Sequence, residues 1–262
     1  MKHLVIPDTQ VKPDYPTEHL EWAGQYAAEK KPDVIIHLGD HWDMPSLSTY
    51  DVGKKSFEGR RYTSDIQAGI DAMHVFLRPI RKEQKRLKEN KQKQWKPKLV
   101  FCLGNHEHRI ERAVNSDAKL EGLISYGDLQ LKEMGWKVYN FLEPVIIDGI
   151  VYSHYFTSGV MGRPVTNAKL LLQKKMMSCV QGHVQDRDIA FGRRADGKSV
   201  TGIFAGIFYQ HDEDYLTPQT NGSWSGIWML NEVDDGSFDE MPISLNFLKM
   251  KYASSAYLRG ER

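Results

Sequence analysis

The chain predicts an α/β fold, and three observations carry that expectation. Short apolar runs rich in β-branched residues recur along it, helix-patterned segments separate the first of them, and 262 residues suffice for one large domain with a buried core. In order, the strand candidates are residues 4–6, 34–38, 99–103, 145–153, 178–181 and 200–207. Residues 17–30 and 66–93 carry apolar side chains at helical spacing between the first three strands. Near the end, residues 224–232 and 243–251 flank the turn sequence Asp234-Asp235-Gly236-Ser237, which predicts a terminal β-hairpin. No internal repeat, low-complexity tract or linker divides the chain. The expectation is one domain over residues 1–252, with a basic helical insertion at about 44–98 and a loosely ordered tail over 253–262.

Composition excludes several classes. With 35 Lys+Arg against 34 Asp+Glu the net charge is +1, so the chain is not a polybasic protein. Two cysteines cannot build a disulfide framework or a thiolate zinc cage, and Cys102 and Cys179 fall inside apolar strands, where inert thiols belong. The opening MKHLVIPDTQ has no signal-peptide core, because Pro7 and Asp8 interrupt the apolar run. No segment reaches the roughly 20 apolar residues that cross a bilayer. These features point to a cytoplasmic chain without a membrane partner. Charge is nevertheless uneven: residues 54–98 hold 14 Lys/Arg against 5 Asp/Glu, whereas residues 211–240 hold 8 Asp/Glu and no Lys or Arg.

The chemistry lies at the strand ends. Leu4–Ile6 runs into Pro7-Asp8-Thr9-Gln10, residues 34–38 into Gly39-Asp40-His41-Trp42-Asp43, and residues 99–103 into Gly104-Asn105-His106-Glu107. Residues 150–153 run into His154, and residues 179–181 into Gly182-His183-Val184-Gln185. A single Asp or His in such a place is more often a turn or cap residue than a ligand. Five strands ending alike, three through a glycine that lets the backbone come close, reverse that balance. In open α/β sheets, sites form outside the carboxyl ends of strands. Carboxylate, amide and imidazole groups without thiols suit Mn²⁺, Mg²⁺, Fe or Zn²⁺.

These blocks resemble those of the calcineurin-like metallophosphoesterase superfamily: D-x-H, G-D-x-x-D, G-N-H-[DE], a lone His after a strand, and G-H-x-H. The likeness spans residues 4–185, and the Asp-x-Gln opening is similar to that of phage-encoded members. It implies a four-layer α/β/β/α sandwich and a site for two divalent ions bridged by Asp40. The first ion would take Asp8, Gln10 and Gln185, and the second Asn105, His154 and His183. His106 matches the histidine that stabilises or protonates the leaving group, and Asp43 a carboxylate that orients a ligand or His106. A hydroxide between the ions would attack phosphorus in line.

Two departures fall on one side of that pattern. Gln10 and Gln185 stand where the family has histidine, both at the first ion. An amide oxygen is harder and weaker than imidazole nitrogen, so the first site should favour Mn²⁺ or Mg²⁺ and the second Mn²⁺, Fe or Zn²⁺. The basic insertion, with Trp95 and Tyr62 available to stack on bases, favours a phosphodiesterase or nuclease and hence nucleic acid as partner. Alternatives are a phosphomonoesterase acting on nucleotide or protein phosphate, and a metal-poor binding scaffold. Arg109 and Arg112, three apart on a helix starting near Glu107, and His41 are the candidate substrate contacts.

Overall fold

A computed structural model describes residues 1–211 and 223–253. Among the described residues, eleven strands form two sheets, sandwiched between layers built from five α-helices. The chain opens with β1 (His3–Ile6), α1 (Glu18–Lys30), β2 (Val34–His37), α2 (Tyr62–Glu89) and β3 (Lys98–Cys102). It continues through α3 (Arg109–Ser116), β4 (Lys137–Tyr139), β5 (Val145–Ile147), β6 (Ile150–Ser153), α4 (Ala168–Lys175) and β7 (Cys179–Gln181). The last elements are β8 (Arg187–Arg193), β9 (Ser199–Ala205), β10 (Gly226–Asp234), β11 (Ser237–Ser244) and α5 (Leu245–Tyr252).

One sheet runs in the order β11-β10-β1-β2-β3-β4 and the other β5-β6-β7-β9-β8. In the first, β1 to β4 are parallel neighbours, and β10 joins β1 antiparallel. Strand alternation sorts the side chains into layers. Leu4, Ile6, Ile35, Phe101, Ile227 and Met229 face the helices α1, α2 and α5. Val5, Val34, Ile36, Val100, Cys102, Trp228 and Leu230 face the opposite way and meet Ile150, Tyr152, Val180 and Ile203 of the second sheet. Val151, Cys179 and Phe204 turn outward onto Ala168 and Leu171 of α4. The result is the expected α/β/β/α sandwich.

The predicted insertion has a different character. Ile66, Ile70, Met73, Phe76, Leu77 and Ile80 recur at helical spacing along α2 and are buried in the helix-side core, so this helix is part of the sandwich rather than an appendage. It connects β2 to β3, which are parallel, and so must run back from one end of the sheet to the other. Its first turn lies beside the strand ends that carry the site. Its basic last turns lie at the opposite end, about 35 Å from Asp65 at 1.5 Å per residue. Trp95 donates its indole N–H to the Pro32 carbonyl at 2.7 Å, ahead of β2, and the Tyr62 hydroxyl donates to Asp128 at 2.7 Å. The basic run therefore does not flank the site, and neither aromatic is placed as a stacking platform beside it.

Two further expectations change. The hairpin forms, but its second strand ends at Ser244; the Ser244 hydroxyl accepts from Phe247 N at 3.2 Å and caps α5, so residues 245–252 are helical. The predicted 145–153 strand is two strands joined at Asp148-Gly149. The expected tail lies outside the described residues except for Ala253. Among the described residues, no helix is long and apolar enough to cross a membrane.

Candidate active site

The parallel strands bring the polar strand ends to one rim, and the two sheets are tied together there. His154 donates Nδ1–H to the Leu38 carbonyl at 2.9 Å, across from β6 to β2. The Asp8 carboxylate accepts from His183 N at 3.0 and 3.1 Å, joining β1 to the loop after β7. Gly182 is required here, because a Cβ would lie 2.4 Å from Asp8 Oδ1. Gly104 is required similarly: its Cβ would lie 2.1 Å from Asp40 Oδ1. Gln10, Asp40 and His183 all hold positive φ, at 37°, 49° and 65°. Such backbone costs of order 1 kcal/mol or more per residue and concentrates at functional sites.

Asp40, His154 and His183 each offer a ligand atom, and these atoms lie within 4.8 Å of one another. With His154 Nδ1 committed to Leu38, its Nε2 faces Asn105 Oδ1 at 2.9 Å and Asp40 Oδ2 at 3.4 Å. Burial opposes charge on His154, yet Asp40 beside it outweighs this and raises the pKa to about 9. Burial also raises Asp8, helped by Asp40 and against the pull of His154, to about 7. Burial and the neighbouring His154 lower His183 to about 4, which leaves a neutral imidazole. The two buried carboxylates thus draw a proton onto His154, where a cation would otherwise balance them, while His183 and Gln10 are neutral donors. Gln10 adds a buried Oε1 with no hydrogen-bond partner. Such an orphan costs roughly 1–3 kcal/mol unless a ligand satisfies it. This oxygen- and imidazole-rich set fits divalent ions. Gln185 lies two residues beyond His183, and its carbonyl accepts from Trp224 N at 3.2 Å.

His106 occupies the outer side. Its Nδ1 lies 2.9 Å from Asp43 Oδ1 and 2.8 Å from the Asp43 carbonyl, so Nε2 is turned toward Asp40 Oδ2, 3.8 Å away. Burial lowers its pKa, but Asp40 and Asp43 overcome this and raise it. Arg109 donates to the Asp43 and Met44 carbonyls at 2.7 and 3.1 Å and reaches His106 Nε2 at 3.3 Å. Its partner in the sequence reading, Arg112, is exposed on α3 and does not line the cleft beside His106.

His41 is not a cleft residue. It is 1% exposed; Nδ1 meets the Thr9 hydroxyl at 2.7 Å and Nε2 the Gly69 carbonyl at 2.9 Å. With both nitrogens engaged in the core, it buttresses the loop instead of meeting substrate. The residue that sequence reasoning missed is Glu107, itself fully buried. Its Oε1 accepts from His41 N and Trp42 N at 2.7 and 3.0 Å, and its Oε2 from Asp40 N and Gly104 N at 2.9 and 2.7 Å. One carboxylate thus fixes both loops that carry Asp40 and Asn105. An acidic residue directly after Gly104-Asn105-His106 was the only sequence signal for it.

A cleft of about 1040 Å³ includes His106, Asp43 and Arg109 in its lining, together with other basic residues such as Lys12 and Arg61 and acidic ones such as Asp14 and Glu58. None of Asp8, Asp40, Asn105, His154 or His183 lines it.

Known proteins bear on this arrangement in one way. No curated protein matches the chain. It is similar to the solved structure titled "Structural and biochemical characterization of Yfce, a phosphoesterase from E. coli", with 13% identity, 93% of this chain and 100% of that chain covered, and a TM-score of 0.37. The family profile described as calcineurin-like phosphoesterase matches residues 1–176, which include Asp8, Asp40, Asn105, His106 and His154 and the first six strands. The chain, a two-sheet sandwich with its carboxylates and imidazoles gathered on one rim, belongs to the calcineurin-like phosphoesterase family.

Proposed function

We propose that this metal-dependent phosphoesterase is a phosphodiesterase. The observation that carries this reading is the cleft of about 1040 Å³ that includes His106, Asp43 and Arg109 in its lining, which leaves room for organic substituents on both ester oxygens of a phosphodiester. Asp8, Gln10 and Gln185 would hold one divalent ion and Asn105, His154 and His183 another, with Asp40 between them. When bound, the ions supply activated water and neutralise charge on the phosphoryl oxygens. The unpartnered Gln10 Oε1 supports the first site, and its amide chemistry favours Mn²⁺ or Mg²⁺ there. The second site, with two imidazoles, suits Mn²⁺, Fe or Zn²⁺.

The protein groups divide the remaining work. Asp43 fixes His106 through Nδ1, and the nearby carboxylates favour the doubly protonated ring. Nε2–H is then the proton donor to the departing alkoxide. Arg109, held rigidly by two carbonyls beside that nitrogen, meets a non-bridging oxygen or the leaving group. The scaffold alternative has little support, since Asp8, Asp40, Asn105, His106, His154 and His183 are all present and gathered.

The test compares bis-p-nitrophenyl phosphate with p-nitrophenyl phosphate in Mn²⁺. The diester should show the higher kcat/KM, and His106→Ala should depress diester turnover by 100-fold or more, in the order of ~10²–10⁴ typical of general acids. A consistent monoester preference would overturn the reading.

A further inference from the structure

The three histidines of the site are not held alike. His154 Nδ1 is committed to the Leu38 carbonyl at 2.9 Å, and His106 Nδ1 lies 2.9 Å from Asp43 Oδ1. His183 is fixed at its backbone, where its N–H donates to Asp8, but among the described residues its ring makes no hydrogen bond. A histidine that ligates a metal ordinarily has its other nitrogen held by an acceptor, which sets the orientation of the ring. The χ2 torsion of histidine is broad, so a ring without that partner needs packing to hold it.

Other rings take the place of the acceptor. Tyr155 lies against His183 with centres 4.7 Å apart at 43°, and the His154 ring meets His183 edge-on at 5.2 Å and 73°. Tyr155 is itself buttressed: Phe141 meets it edge-on at 5.6 Å and 78°, and Phe141 stacks on His108 at 4.7 Å and 24°. His108 Nδ1 in turn lies 2.8 Å from the Tyr126 hydroxyl. The backbone around Tyr155 is also tied to the strand end that carries His183. Ser153 Oγ donates to the Tyr155 carbonyl at 2.9 Å, and Phe156 N donates to Gln181 Oε1 at 3.1 Å. Gly182 N donates to the His154 carbonyl at 2.9 Å, continuing the parallel pairing of β6 with β7. Tyr155 and His183 therefore keep a fixed spacing. Core packing is the work of the next residue: Phe156 is 6% exposed among the side chains of α4, whereas Tyr155 is only partly buried.

We infer that Tyr155 is a positioning residue for the second metal site, its ring holding the His183 imidazole in the orientation that meets an ion shared with Asp40 and His154. This rests on the two-ion reading above and adds to it a residue outside the ligand set on which the affinity of one ion depends.

The experiment titrates Mn²⁺ calorimetrically into the chelated full chain, as wild type, Tyr155→Ala, Tyr155→Phe, His183→Ala and the Tyr155→Ala/His183→Ala pair. Tyr155→Ala should weaken the binding step that His183→Ala weakens, by roughly tenfold, as loss of a group behind a metal ligand does. Tyr155→Phe, which keeps the ring, should bind as the wild type does. In the His183→Ala background, Tyr155→Ala should change affinity by less than about twofold, because the ring it positions is gone. Tyr155→Leu, which fills the space without a flat ring, should fall with the alanine and keeps the test decisive if Tyr155→Ala does not fold. Unchanged affinity in Tyr155→Ala and Tyr155→Leu, an equal loss in Tyr155→Phe, or the full loss in the His183→Ala background overturns the positioning role. Unaltered Mn²⁺ binding with a raised KM for bis-p-nitrophenyl phosphate overturns it too, making Tyr155 a substrate contact. A wild-type protein that binds no Mn²⁺ overturns the two-ion reading and this role together.

Discussion

Glu107→Gln is the sharpest probe of how the site is held. The wild-type carboxylate accepts four backbone N–H groups at 2.7–3.0 Å, from Asp40, His41, Trp42 and Gly104. Glutamine keeps one oxygen, so two of these donors would face an NH₂ group. Hydrogen bonds to a charged acceptor contribute about 1.5–3 kcal/mol each, so losing two costs on the order of 3–6 kcal/mol. Part of this is offset, because burial and the Asp40 charge already push the Glu107 pKa up, and the amide removes that ionised group. A net loss of about 2–4 kcal/mol remains. At about 2–4 °C per kcal/mol for a domain of this size, melting should fall by roughly 4–16 °C. The released loops carry Asp40 and Asn105, so Mn²⁺ affinity should drop about tenfold, in the range seen when groups behind metal ligands are lost. Thermal melting by circular dichroism and calorimetric Mn²⁺ titration read the two effects. Unchanged melting together with unchanged affinity would refute the clamp.

Other perturbations follow from separate features. Gln10→His combined with Gln185→His should tighten the first ion and extend activity to Zn²⁺; unaltered stoichiometry and ion range in a metal titration would count against that site. Reversing Lys85, Lys88 and Lys91 to Glu should leave kcat/KM for a small diester within about twofold, since a separation near 35 Å far exceeds the Debye length. A tenfold loss would show that the far end of α2 communicates with the site. His19 is buried against Phe208 and burial holds its pKa at about 3, below the 6.5 of the free group. The unfolded chain therefore binds the proton first, and stability is full above pH 6.5 and lost as pH falls toward 3. Between pH 6.5 and 4.5 the wild type should lose about 2–3 kcal/mol more than His19→Leu, as urea unfolding at the two pH values would reveal.

What the sequence made legible was local: a strand and the residue that ends it are neighbours in the chain. Asp8, Asp40, Asn105, His154 and His183 could be read in this way because parallel pairing places such ends together. Glu107 could not, because three of its four donors lie at residues 40–42 and the bonds exist only after β2 and β3 pair. His41 shows the reverse error. Its position beside Asp40 suggested the cleft, but the left-handed backbone at Asp40 (φ 49°) precedes a side chain buried toward Thr9 and Gly69. The basic run was read correctly as charge and wrongly as location, since the direction of α2 follows from strand order rather than composition. Residues 243–251 were misread because their apolar spacing suits either a strand or a short helix, and the Ser244 cap decides between them.

If Asp40 organises a metal-dependent phosphodiester hydrolysis, its carboxylate and the added ion must both be needed for turnover. Bis-p-nitrophenyl phosphate turnover is followed in chelated protein, then during Mn²⁺ titration, for wild type and Asp40→Asn side by side. Chelation should abolish turnover, added Mn²⁺ should restore it in the wild type, and Asp40→Asn should not recover. Turnover that survives chelation, or an Asp40→Asn protein that recovers as the wild type does, would contradict that role of Asp40.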